Sequence, residues 1–470
     1  MSIADDENIF EIISDIALQE NVKVFLVGGY VRDIMLDRRS NDIDFVVEGD
    51  SLQFARIVAK RLNRKKVVEF PKFQTSKLSY KEYDLEFVTA RKESYLENSR
   101  NPEVEKSNLP EDLKRRDFTI NTLAIDLNDR ENIINLFNGI EDIKSRIIRT
   151  PLDPDITYSD DPLRMLRAVR FASRFNFKIE KESFEAIKRN ASRLDIVSEE
   201  RISDEFFKIL LSDYPVKGIY LLDQAGLLET ILPELSQLKG IEILDGTGHK
   251  DNFIHTLKVL NNISKITKSL KLRLSALMHD IGKPKSKYFK KGVGWTFHGH
   301  DDVGVKIFTE IAKRLKWPND ITEYVSKMIN LHHRPISLTK EEVTDSGVRR
   351  FLFEGGELVD DLMLLCRADI TTSNKKKLNN YLDNFDKLSE KLIVVEEKDK
   401  LRNFKPPVNG IDIMNEFSIN EGPIIGQIKK EIVDSIINGS IPNEKEAAMN
   451  LLKKIKARIE KKSNLHIKKV

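Results

Sequence analysis

LVGGYVRDIMLDRRSNDIDFVV, residues 26–47, sets the class of the N-terminal part of the chain. The apolar run VKVFLV (22–27) reads as a buried strand that ends on Gly28-Gly29, and YVRDIML (30–36) has the spacing of a helix start. Glycines at such a turn let the backbone approach a ligand, and the free N–H groups of a helix N-terminus suit an anion. The next apolar run, DIDFVV (42–47), reads as a second strand. On it Asp42 and Asp44 stand two apart, so both carboxylates face one side. Like charges that close are costly without a cation, and paired oxygen donors suit Mg2+. A glycine cradle followed by Asp-x-Asp is what holding a magnesium nucleoside triphosphate requires, with two metals to activate an attacking hydroxyl and stabilise the leaving pyrophosphate. KEYDLEFVTA (81–90) reads as a third strand, on which Asp84 and Glu86 are both candidates for a third carboxylate.

Working outward, the texture of the chain divides into four segments. Residues 1–150 alternate strand and helix patterns and read as an α/β domain. After Pro151 and Pro154 strand signals nearly vanish, and 151–240 reads as helical, as in LRMLRAVRFASRF. A glycine-rich interval marks a boundary near 240–252. Residues 250–370 are again helical, and 371–470 form a basic helical tail with 20 Lys/Arg against 14 Asp/Glu. That local excess is hidden in the whole chain, where 78 basic and 75 acidic residues give +3. Of the 470 residues 40% are hydrophobic, which excludes a wholly disordered or low-complexity chain. The single cysteine, Cys366, excludes a disulfide scaffold or a four-thiolate zinc site. No apolar run is long enough to span a membrane and the N-terminus lacks a signal-peptide pattern, so a cytoplasmic protein with no membrane partner is expected. Histidine is uneven: seven of the eight fall between His249 and His333.

The 26–47 stretch resembles the nucleotidyltransferase signature of the class II tRNA nucleotidyltransferase (CCA-adding enzyme) and bacterial poly(A) polymerase family. The glycine pair, Arg32-Asp33 and the Asp-x-Asp fall at the family's spacing. Asp37 departs from the pattern, standing where the family usually has Gly before Arg38. A second match is DLKRRDFTINTLAID (112–126), with Phe118, Ile120 and Leu123 spaced to anchor it in a core. The resemblance implies that Arg116 and Asp117 contact the nucleotide's sugar and phosphates, with Gly28, Gly29 and Arg32. Between the third strand and this motif, 91–112 is polar, lacks periodicity and reads as a flexible loop. In the family that loop is linked to the switch from C to A addition.

The third match is SDDPLRMLRAVRFASRF (159–175). Read as one helix, it puts Asp161 and Arg164 on a single face. Asp only accepts and Arg only donates. Cytosine and adenine both present an amino donor beside a ring-nitrogen acceptor, so this pair can read both and reject uracil and guanine, which present the reverse. The family uses an acidic-Asp-x-x-Arg motif in that template role; the first acid, commonly Glu, is here Asp160, which could brace Arg164. Arg167 and Arg170 follow at three-residue steps and resemble further nucleotide contacts. EERISDEFFKILLSD (199–213) looks structural, with Glu205 bracing the neck.

In the histidine window, His255, the His279-Asp280 doublet and the distant Asp369 resemble the HD phosphohydrolase superfamily, which implies a divalent metal; His300 and His332 could serve a second one. Some relatives carry such a domain with phosphatase or cyclic-phosphodiesterase activity on RNA 3′ ends. Beyond it, 406–432 resembles the family's C-terminal segment, and with the lysine-rich end it is expected to touch the tRNA body.

The expectation is therefore an α+β multidomain protein. A nucleotidyltransferase (polymerase-β-like) α/β palm is followed by an all-α neck and body, an HD-type domain and a tail. It would transfer CMP and AMP from CTP and ATP to the tRNA 3′ end with Mg2+ at Asp42 and Asp44. Competing readings are a poly(A) polymerase, an enzyme adding only CC or only A, an HD phosphohydrolase whose front half docks RNA, and a non-catalytic RNA-binding protein.

Overall fold

The computed structural model describes residues 7–94, 103–244, 247–248, 251–340, 344–372, 374–399 and 406–467. Two compact units emerge: Met1–Gln237 with Lys313–Trp317, and Leu238–Ala312 with Pro318–Val470.

The first unit is built on a seven-stranded mixed sheet. In chain order its elements are α1 (Glu7–Gln19), β1 (Lys23–Val27), α2 (Gly29–Met35), β2 (Asp42–Glu48), α3 (Ser51–Arg61), β3 (Val68–Phe70), β4 (Thr75–Tyr80) and β5 (Tyr83–Thr89). A hairpin of β6 (Arg91–Ser94) and β7 (Glu103–Lys106), then α4 (Leu109–Lys114), β8 (Ala124–Asp126) and β9 (Asp129–Ile134) complete the palm. The sheet order is β3-β4-β5-β2-β1-β8-β9, with β2 and β5 parallel and the other pairs antiparallel. Alternation drives this. In β2, Ile43 and Phe45 are fully buried, while Asp42 is exposed and Asp44 half-buried on the opposite face. Phe45 stacks on Phe87 of β5 at 4.9 Å, and Phe54 of α3 meets Phe87 edge-on. Asp50 starts α3 by accepting from the Leu52 and Gln53 N–H groups, each at 3.0 Å.

Two expectations change here. The 91–112 segment is not wholly a loop: β6, β7 and α4 lie in it, α4 capped by the Asn108 side chain and begun with Pro110. Its middle, 95–102, lies outside the described residues. The neck helix is also interrupted: α5 (Gly139–Ser145) and α6 (Pro154–Asp160) precede α7 (Leu163–Phe175), with Asp161 extended between α6 and α7 (φ −137°, ψ 98°). Pro162 explains the break, because a proline disfavours helical backbone at the residue before it. Asp161 and Arg164 are thus not on one helix face. On α7, Leu163, Leu166, Val169 and Ala172 are buried while Arg164, Arg167, Arg170 and Arg174 occupy the other side. Helix α8 (Lys181–Asn190) and helix α9 (Glu199–Leu211) follow. Trp317 packs on Phe206 and Phe207 of α9 and donates from Nε1 to Ser203 Oγ at 3.1 Å, so Lys313–Trp317 belongs to this unit although the sequence places it in the histidine-bearing segment.

The second unit is helical. One core runs from Val259 and Leu272 through Phe351 and Leu362 to Leu388, Leu392 and Val395, so the helix Lys375–Asp399 shares a core with 259–368 despite the expected boundary at 370. A second core, with Val408, Ile428, Ile432 and Leu452, holds the helices Gly410–Phe417, Pro423–Ile437 and Lys445–Ile467. The basic end, 468–470, lies outside the described residues. Among the described residues no helix is long and apolar enough to cross a membrane.

Candidate functional site

A cavity of about 740 Å3 in the first unit is lined by all eleven residues that the sequence nominates there: Gly28, Gly29, Arg32, Asp42, Asp44, Arg116, Asp117, Asp161, Arg164, Arg167 and Arg170. Nine arginines and five aspartates line it, an excess of positive charge that suits a polyanion.

At one end β1 delivers Gly28, held by its N–H to the Leu123 carbonyl (3.1 Å). Gly28 has φ +67°, and a Cβ there would stand 2.6 Å from Arg116 Nη1. Glycine is required twice over, by backbone and by space. Asp37 sits at φ +55°, the left-handed region, which explains why a glycine is favoured there and why Asp, one of the tolerated residues, can replace it. On β2, burial raises the Asp44 carboxyl; Arg116 opposes this, and the charges of Glu86 and Asp42 add to it. A cation would relieve both effects. The register sets Asp84 opposite Asp42 and Glu86 opposite Asp44, with Ser79 donating to Asp84 (2.7 Å) and Lys77 paired with Glu86 (2.8 Å).

The arginines are held by buried carboxylates. Asp112, missed in the sequence reading, is fully buried and clamps Arg115 (2.6 Å) and Arg116 (3.0 Å). Its signal was its spacing, three and four residues before them on α4. Asp33 pairs with Arg32 at 2.7 Å, Arg32 donates to Asn121 Oδ1 at 2.5 Å, and the Arg32 guanidinium lies over Phe175 at 4.9 Å. Asn121 in turn donates to Asp117 (2.8 Å), whose other oxygen binds Arg167 (2.6 Å). Burial would raise Asp117, but Arg167, the Asn121 hydrogen bond and Arg164 hold it down at about 2. Arg170 pairs with Glu205 (3.1 Å), the neck brace; burial and Arg167 bring Arg170 down to about 10. Asp161 accepts from the Leu163 N–H (3.2 Å) and lies 3.5 Å from Arg201, while Arg164 donates to the Arg115 carbonyl (2.8 Å). The two candidate base readers are therefore positioned by separate anchors.

The second unit gathers the histidines at helix ends. His255 lies on the helix Asn252–Ile266, His279-Asp280 follow Leu270–Met278, and His300-Asp301 open His300–Arg314. His332 follows Asn319–Leu331, His333 opens the next helix, and Asp369 closes Val359–Asp369. The Nδ1 atoms of His279, His300 and His332 face the carbonyls of Ala276 (2.9 Å), Phe297 (2.8 Å) and Ile329 (2.6 Å). That leaves each Nε2 as a lone-pair donor. These three Nε2 atoms, with Asp280 Oδ1 and Asp301 Oδ1, are buried without a hydrogen-bond partner. They converge on Asp280, 3.3 Å from His279, 3.6 Å from His300 and 3.9 Å from His332. His255 lies 2.8 Å from Asp369 and 3.5 Å from Asp280. Two groups could each hold an ion: His255, His279 and Asp280; and His300, Asp301, His332 and His333. Orphaned imidazole and carboxylate donors of this kind fit divalent transition metals. Asp301 and His333 were not in the expected set, and the exposed His298 stays outside both groups. Lys283, also unanticipated, binds Asp280 at 2.6 Å.

Three family models match the chain: the Poly A polymerase head domain over 24–149, the probable RNA- and SrmB-binding site of polymerase A over 176–238, and the HD domain over 252–374. The chain is 31% identical over 362 residues to a multifunctional CCA protein of Shewanella frigidimarina, covering 74% of this chain and 84% of that one. It is 29% identical over 349 residues to an A-adding tRNA nucleotidyltransferase of Deinococcus radiodurans, covering 72% and 78%. The crystal structure of the Bacillus stearothermophilus CCA-adding enzyme in complex with CTP has the same fold: TM-score 0.69, 23% identity, 98% of this chain and 100% of that one.

Proposed function

The chain belongs to the tRNA nucleotidyltransferase family, and from that premise we propose that it transfers CMP and AMP from CTP and ATP to the tRNA 3′ end, completing CCA. The observation that carries this reading is the one cavity that joins the Asp42–Asp44 pair, the glycine turn, the arginines and the Asp161/Arg164 readers. Asp42 and Asp44 would hold Mg2+, which when bound polarises phosphoryl oxygens and offsets charge at the attacking and leaving groups. Asp84 and Glu86, opposite Asp42 and Asp44 in the register, are the two candidates for a third carboxylate. The protein's own groups orient the substrate. Gly28 and Gly29 leave room for the triphosphate, and Arg116, locked by Asp112, faces it with a pre-positioned fork. Asp161 accepts from the exocyclic amine of C or A while Arg164 donates to the ring nitrogen; U and G present the reverse order and leave both unpaired. The tail 371–470 adds sequence-independent contacts to tRNA phosphates.

The test uses tRNAs lacking one, two or three terminal nucleotides and one nucleoside triphosphate at a time. Addition that stops after CCA is expected, and Asp42→Asn should abolish it. A long A tail, or addition of only C or only A, overturns the reading in favour of its relatives' alternatives.

The orphaned donors around Asp280 carry a second reading. We propose that they hold divalent metal ions, one at His255, His279, Asp280 and Asp369 and one at His300, Asp301 and His332, and that the unit hydrolyses phosphate esters at RNA 3′ ends. Metal there supplies Lewis acidity and an activated water. His279→Ala should lose bound metal by elemental analysis and lose phosphatase activity while nucleotide addition persists; unchanged metal content and phosphatase activity would sink it.

A further inference from the structure

Beside the histidine cluster lies a second cavity of about 410 Å3, within the second unit. Its lining includes His255, Asp369 and Lys283, groups of the cluster itself, together with Lys377, Tyr381 and Phe385. The last three recur at four-residue steps on the helix Lys375–Asp399, so they form one stripe on one face. Phe385 is 2% exposed and serves as a floor, whereas Tyr381 is 38% exposed and presents an accessible ring. Thr371, also in the lining, has its hydroxyl 2.9 Å from His255 Nδ1. The helix begins at Lys375, just beyond the HD-domain match, so Lys377, Tyr381 and Phe385 lie outside that match.

The volume lies near the lower end of the about 300–1,000 Å3 of small-molecule sites, enough for one nucleotide and too small for a folded RNA segment. The lining combines two ammonium groups and an imidazole, which suit a phosphate, with two aromatic rings, which suit a base. We infer that this cavity is a single-nucleotide site in which Tyr381 and Phe385 receive the base and Lys283 and Lys377 the phosphate of a nucleotide phosphate ester, making Lys377 and Tyr381 specificity-determining residues. The inference rests on the hydrolytic reading of the cluster. In that reaction the oxygen of a water bonds to phosphorus, the P–O bond to the ribose breaks, and the ribose oxygen leaves with a proton from the water. The ester is either a free mononucleotide or the phosphorylated last nucleotide of an RNA; both present the same base, ribose and phosphate.

The experiment uses the full-length protein with Mn2+ added. Binding of a nucleoside 3′-monophosphate is measured by calorimetry, and hydrolysis is compared for that nucleotide, a short oligoribonucleotide with a 3′-phosphate, and glycerol phosphate, which has no base. Tyr381→Ala should weaken nucleotide binding about tenfold, the lower end of what one base–aromatic stack contributes, and raise KM for the nucleotide relative to that for glycerol phosphate by a similar factor. Lys377→Ala should raise KM for all three. A lower KM for the oligonucleotide assigns the source to an RNA end, and a lower KM for the mononucleotide assigns it to free nucleotides. Nucleotide binding that is absent, or that Tyr381→Ala leaves within twofold, overturns the inference. Absence of hydrolysis of all three esters by the wild type, with Tyr381-dependent nucleotide binding intact, refutes the hydrolytic reading and leaves the pocket standing.

Discussion

Asp117→Asn is the sharpest test of the palm–neck junction. Asp117 is 7% exposed, sits between Asn121 at 2.8 Å and Arg167 at 2.6 Å, and accepts from the Phe118 N–H at 2.9 Å. Its carboxyl falls from the ordinary 3.8 to about 2, because Arg167, the Asn121 hydrogen bond and Arg164 outweigh burial. At about 1.4 kcal/mol per pH unit, that drop is on the order of 2 kcal/mol of stabilisation of the charged form. Asn keeps the shape and loses the charge, leaving the Arg167 guanidinium without its counterion. For a unit of this size the loss lowers Tm by about 4–8 °C. The pH dependence has a definite sign. A carboxylate held below its unfolded value stabilises fully above about pH 4, and the contribution disappears as pH falls toward 2. The Tm gap between wild type and variant should therefore be constant from pH 5 to 8 and shrink below pH 4. Thermal unfolding followed by circular dichroism reads this, and single-nucleotide addition should show raised KM for CTP and ATP alike because Arg167 loses its anchor. Tm values within 1 °C at pH 7, or a gap that widens on acidification, refute the reasoning.

Three further outcomes are expected. Gly28→Ala forces a side chain to φ +67° and 2.6 Å from Arg116 Nη1, so it should cost about 1–3 kcal/mol of strain and raise KM for both nucleotides, read by Tm and steady-state kinetics. Asp37→Gly relieves a left-handed aspartate at φ +55° and should raise stability by about 1 kcal/mol at most, with addition rates unchanged. Asp161→Ala removes one of the two proposed base readers and should cut the preference for CTP and ATP over UTP and GTP by about tenfold, the equivalent of one charge-assisted hydrogen bond, measured in misincorporation assays.

What the sequence reveals depends on range and polarity. The palm strands β1, β2 and β5 are legible because apolar residues alternate with the charges of the site, and Asp42 and Asp44 are visible as chemistry because a strand period of two brings them to one face. Strand β4 is not, since TSKLSY buries Thr75, Ser76 and Leu78 with little hydrophobic contrast. The β6–β7 hairpin is hidden for the same reason: RKES and EVEK have no apolar face and are defined by pairing alone. The histidines are conspicuous in composition, yet the convergence of His255 on Asp369 spans 114 residues of chain and follows from helix packing. Asp301 and His333 join the cluster through the same packing, which local pattern cannot show.

The Asp161–Arg164 pair shows how spacing alone can mislead about geometry. A spacing of three implies a shared helix face only if the backbone between is helical, and Pro162 makes the extended conformation of Asp161 the favoured one. The consequence is mechanical. A pair on one helix would move as a unit, whereas here Asp161 is set by the Leu163 N–H and Arg201, and Arg164 by a carbonyl of the 112–126 motif. The proposed base-reading edge is thus anchored by the neck and the palm together. Asp117, in that same motif, ties Arg167 one turn further along α7. In the proposed reaction, base readers anchored on two segments depend on the packing of those segments, so loss of Asp117 or Arg167 should disturb selectivity and stability together.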